Sequence, residues 1–151
     1  MKRFLITAAL LLPVAAFAAE GPMTGPATWT WNAKESKSST TPPKAMVLKV
    51  TKDDGTKLAW TMTATDAKGK TQKMSWSGEY DGKERPASNG GAAAFSKGSD
   101  GAVKIAFKEK DGSTGDESCT VSSDKKKMTC KGTMKGKDGK TADYTDVYDR
   151  S

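Results

Sequence analysis

The sequence predicts an all-β protein, a single antiparallel up-and-down meander of about eight or nine short strands that closes into a barrel or curls into a tight sandwich. Three observations lead there. Asp-Gly pairs or their equivalents recur from Asp53 to Gly139 between short apolar runs, at roughly 8–12-residue spacing. Those runs alternate apolar and polar side chains, and none shows the 3.6-residue period of a helix. The connections are nearly all hairpin-length, so successive strands are neighbours, and a meander this long removes its exposed edges by closing on itself.

The clearest element is the triple run between Ala45 and Ser77. Leu58, Trp60, Met62 and Ala64 alternate with Lys57, Ala59, Thr61 and Thr63; Met46, Leu48 and Val50 precede them, and Met74 and Trp76 follow. Asp66 to Lys70 fits a three-residue hairpin loop, in which Gly69 takes the left-handed position at no steric cost. That loop sets Met62 opposite Met74 and Trp60 opposite Trp76. The same loop over Lys52 to Thr56 sets Met46 opposite Met62, Leu48 opposite Trp60, and Val50 opposite Leu58, which puts Met46, Met62 and Met74 in one row. Every large apolar side chain then shares one face, and a slip of one residue would scatter them over both. The other face, with Lys49, Thr51, Thr61, Thr63, Lys73 and Ser75, is expected to be wet.

The chain opens with the pattern of an export signal over residues 1–18. Lys2 and Arg3 are followed by an apolar run from Phe4 to Val14 and by Ala16-Phe17-Ala18, an A-x-A cleavage pattern. The run is shorter than the roughly 20 residues a membrane span needs, and no later stretch is apolar enough for a transmembrane segment. A soluble periplasmic or secreted protein is expected. Cleavage removes Lys2 and Arg3 but no acid, taking the formal charge from +7 to +5. Residues 19–27, rich in Gly and Pro, read as a flexible lead-in, and residues 28–151 as the barrel domain.

The remaining elements follow in order. Thr28 to Asn32 is a strand with Trp29 and Trp31 on one side, and Lys34 to Lys44 reads as a loop. A turn at Tyr80 to Lys83 leads into an irregular rim segment ending at Gly91. Ala92 to Ser96 is a weak strand. The turn at Ser99-Asp100-Gly101 sets its Phe95 beside Ile105 in the strand holding Val103, Ile105 and Phe107. Lys110-Asp111-Gly112 leads to the run Glu117 to Val121, Ser123 to Lys126 to the run Met128 to Met134, and Lys137-Asp138-Gly139 to Thr141 through Tyr148.

Several of these stretches together carry a family resemblance. Trp29 to Lys37, Pro42-Pro43-Lys44, Asp66 to Lys70, Glu79 to Lys83 and the ending Val147-Tyr148-Asp149-Arg150 resemble a group of small exported bacterial proteins of lipocalin-like shape. The resemblance implies a lipocalin-like barrel and export, and it assigns no functional residue.

The chemistry is bounded by what is missing. With no histidine in the chain, Ser-His-Asp and Cys-His catalysis and most zinc and copper sites fall away. Most acids sit beside glycine in turns; Glu79 and Asp146 are exceptions that nothing brings together. A non-enzymatic protein without a cofactor is expected. Cys119 and Cys130, the only cysteines, fit no zinc spacing. If the turn centres between Asp124 and Lys125, Val121 faces Met128 and Cys119 faces Cys130, the geometry of a cross-strand disulfide in an oxidising compartment. A three-residue loop there would turn the two sulfurs to opposite faces.

Two functional readings remain. In one, Met46, Leu48, Trp60, Met62, Met74 and Trp76 line a barrel interior that carries a small apolar ligand. Simple core packing by gap-filling methionines, or a copper(I) site of thioethers, are the competing accounts of the same residues. In the other, the barrel is filled and a basic surface including Lys104, Lys108, Lys131 and Lys135 binds an anionic envelope component or a protein. The aromatic residues are not interleaved with these lysines, which argues against nucleic acid as the partner.

Overall fold

The computed structural model describes residues 20–151; the export signal expected over residues 1–18 lies outside the described residues. Among the described residues there is no helix, and one antiparallel sheet holds eleven strands. They are β1 (Ala27–Trp31), β2 (Lys37–Ser38), β3 (Ala45–Asp53), β4 (Lys57–Thr65), β5 (Thr71–Glu79), β6 (Arg85–Pro86), β7 (Ala92–Lys97), β8 (Val103–Lys108), β9 (Thr114–Val121), β10 (Lys127–Lys135) and β11 (Thr141–Arg150). The strand count exceeds the expected eight or nine because β2 and β6, two residues each, lie in segments read as loops. Two residues are too few to show an alternation.

The strand order β5-β4-β3-β1-β11-β10-β9-β8-β7-β6, with β2 on β11, is a meander wrapped almost into a ring. Its two ends meet without a continuous ladder. Ser88 N–H donates to the Ser75 carbonyl at 3.0 Å, and Ser75 N–H to Ser88 Oγ at 2.8 Å. The Trp76 indole N–H donates to the carbonyls of Ala93 (3.1 Å) and Arg85 (3.2 Å). A side chain thus supplies across the seam what backbone pairing supplies elsewhere, and the sheet edge is covered.

The local registers follow turn length. Trp60 pairs with Trp76 and Met62 with Met74, Phe95 with Ile105, and Cys119 with Cys130 and Val121 with Met128, all as expected. Cys119 and Cys130 form a disulfide. The four-residue loop that allows this pairing places Lys125 at φ 58°, the left-handed position that Gly69 fills in the β4–β5 turn.

The β3–β4 register differs by two. Met46 pairs with Ala64, Leu48 with Met62 and Val50 with Trp60, and a bulge between Val50 and Lys52 shifts the ladder. The expected row of three methionines is therefore broken: Met62 faces Met74 directly, while Met46 lies one inward pair further along. A two-residue error keeps every side chain on its face, which is why alternation alone could not reveal it. The bulge adds a residue at Thr51, so that Asp53 as well as Val50 points inward; Asp53 is 5% exposed.

Asp53 explains the lead-in. Its carboxylate accepts the Met23 N–H at 2.7 Å and the Tyr80 hydroxyl at 3.1 Å, and burial pushes its pKa up. Residues 20–26, the described part of the segment expected to be flexible, fold across this end of the barrel, and Met23 is buried in the core. Glycine makes the approach possible, since a Cβ on Gly21 would overlap the Asp53 carboxylate. Lys125 pairs with Glu20, and Arg150 donates to the Thr24 carbonyl. The core continues through Trp29, Val50, Leu58, Val103, Met128 and Tyr148. No helix among the described residues is long and apolar enough to cross a membrane.

Candidate functional site

Beyond Met23, which itself lines the space, the interior is not filled. A cavity of about 300 Å³ runs between the inner faces of β3–β5 and β7–β11. Period-two alternation in each strand supplies its wall. Met46, Leu48, Trp60, Met62 and Met74 line it, and Phe95, Ile105 and Phe107 come from the opposing strands. Met46, Met62, Met74, Phe107 and Met134 are partly exposed, so the space is open to solvent along this part of its wall. Of the six residues expected to line a ligand site, Met46, Leu48, Trp60, Met62 and Met74 border this space. Trp76 does not: its ring packs on Phe95 at 4.4 Å and its N–H is committed to the seam.

One part of the wall is polar. The inner faces of adjacent strands align Ile105, Glu117, Gly132 and Tyr144 in one row, and Val103, Cys119, Cys130 and Asp146 in the next. Glu117, Tyr144 and Asp146 all line the cavity. Gly132 is required where it stands, because any Cβ would collide with the Tyr144 ring lying over it. Asp146 accepts the Trp31 indole N–H at 2.7 Å. Glu117 has no hydrogen-bond or ion-pair partner among the described residues; burial, then the Asp146 charge, push its pKa up to about 7. Burial also raises Asp146, and burial beside these carboxylates holds the Tyr144 and Tyr148 phenols neutral. At the mouth stand Asn89, Lys108 and Glu109, the last raised by burial and by Asp111.

The inward placement of Glu117 and Asp146 is written locally in the sequence. Glu117 lies two residues before inward-facing Cys119, so period two turns it inward. The three-residue loop closed by the Gly136–Lys140 hydrogen bond sets Asp146 opposite Cys130. Glu117 and both cysteine sulfurs lie within 4.8 Å of one another, but the disulfide leaves no thiolate to bind a metal.

Lys104, Lys131 and Lys135 are on the outer face, and Lys108, also in an outward row, reaches the cavity mouth. Lys104 and Lys131 share one cross-strand row with Ser118 and Thr145, and Lys108 and Lys135 share another with Thr114 and Thr141. Between the two runs a row containing Asp116, Thr133 and Asp143. Lys127, at the hairpin tip, is paired with Glu35 and Asp149, both at 2.8 Å. The exterior is therefore a mixed pattern of charge rather than one positive flank. The chain matches no known protein-family profile and no curated protein.

Proposed function

We propose that this chain is an exported, non-enzymatic binding protein that carries a small, largely apolar ligand inside its barrel. The observation that carries this reading is the cavity of about 300 Å³, walled by methionine and aromatic side chains. That volume stands at the lower end of small-molecule pockets, roughly 300–1,000 Å³, and equals the liquid volume of on the order of ten waters. An apolar ligand entering it removes apolar surface from water on both sides, at about 25 cal/mol per Å². Methionine suits such a wall because its thioether adapts to irregular shapes. The export-signal pattern and the likeness to small lipocalin-like proteins support a periplasmic or secreted carrier. A lysine surface reading polyanions would need an unbroken positive flank, and Asp116 and Asp143 interrupt it.

Native mass spectrometry of protein purified from the producing cell's own periplasm tests the reading. A bound species lost on denaturation is expected, and Met62→Trp should exclude it while leaving the fold intact or firmer. If the wild type yields no ligand and Met62→Trp instead loses about 1–3 kcal/mol, as overpacking a filled core does, the carrier reading is wrong.

A further inference from the structure

The polar wall narrows the ligand class. An ionisable side chain buried without a partner is costly to the fold, and apolar replacements would avoid that cost. Glu117 nevertheless lines the open space inside the barrel, half-buried and unpartnered among the described residues. Its surroundings hold no compensating cation. From β8 the inward neighbour is Ile105, from β10 it is Gly132, and the disulfide lies alongside. From β11 come Tyr144, Asp146 and Tyr148. From β1 comes Trp31, which donates to Asp146. Lys104 and Lys131 belong to the outward rows, and Lys108 with Glu109 stands at the mouth. In a chain with a formal charge of +7, this interior wall is acidic.

Resting on the carrier reading, we propose that the ligand is a small amphipathic amine, its apolar body among Met62, Trp60, Phe95 and Ile105 and its ammonium held by Glu117 and Asp146. An ammonium supplies the donors that Glu117 lacks, and the Tyr144 hydroxyl adds an acceptor. Burial keeps Glu117 substantially protonated near neutrality. Binding a cation therefore expels that proton, and affinity rises with pH as the carboxylate becomes available. A neutral ligand of the same shape has no such dependence.

Titration calorimetry with three matched probes, 2-phenylethylamine, 2-phenylethanol and 3-phenylpropanoate, tests this at pH 5 and pH 8. At pH 8 the amine should bind about tenfold or more tightly than the alcohol, the size of a charge-assisted hydrogen bond, and the advantage should shrink toward parity at pH 5. Glu117→Gln should abolish the amine's advantage over the alcohol, and an unchanged near-UV circular dichroism spectrum and cooperative unfolding of the variant show that the fold around the cavity is intact. Equal binding of amine and alcohol at pH 8, or preference for the carboxylate probe, overturns the amine assignment and leaves the carrier standing. Failure of all three probes to bind overturns the assignment together with the carrier reading.

Discussion

Replacing Glu117 with glutamine should change how stability depends on pH. In the unfolded chain this carboxyl titrates near its ordinary value of 4.5, and in the folded protein at about 7. Between those values the folded state holds a proton that the unfolded state has released. Stability therefore falls as pH rises through this window. At 1.36 kcal/mol for each tenfold change in proton affinity, the loss between pH 4.5 and pH 7.5 amounts to about 3 kcal/mol. For a domain this size that is roughly 10 °C in Tm. The carboxylates that hydrogen bonds and ion pairs hold low, such as Asp54 and Asp149, are lost only below the window, and raised Asp146 acts in the same direction as Glu117. Glutamine mimics the protonated acid at every pH. Differential scanning calorimetry should find the variant within about 1 kcal/mol of wild type near pH 5 and more stable by about 3 kcal/mol near pH 8. Parallel profiles for the two proteins would refute the placement of Glu117 as an unpaired acid lining the interior.

Two further perturbations test the fold around the cavity. The disulfide closes a loop of sequence separation 11, for which chain entropy gives about 2–3 kcal/mol; reduction should lower Tm by roughly 10 °C, and thiol titration of the unfolded, unreduced protein should find no free thiol. Met23→Ala should cost about 2–5 kcal/mol, as large-to-small changes in a core do, whereas a loss below about 0.5 kcal/mol in chemical denaturation would show that the lead-in does not seal the barrel.

Hairpin chemistry and alternation were enough for the sequence alone to determine the all-β meander and the pairing of Trp60 with Trp76 and Met62 with Met74, and they left the Cys119–Cys130 bond to the choice between a three- and a four-residue loop. Each of these depends on a loop a few residues long and on which side of a strand a residue falls, and both are written locally. The inward direction of Glu117 was equally local, but what it meets was not. The tertiary structure alone decided the bulge at Thr51, which turns Asp53 inward to receive Met23 from 30 residues away. It also decided the closing of the ring through Trp76, the pairing of Trp31 with Asp146 across 115 residues, and the space left between the methionines and Glu117. Those features exist only once the sheet has curled far enough to bring its two halves face to face. Curvature and leftover volume are sums over the whole barrel, and no single stretch of the chain encodes them.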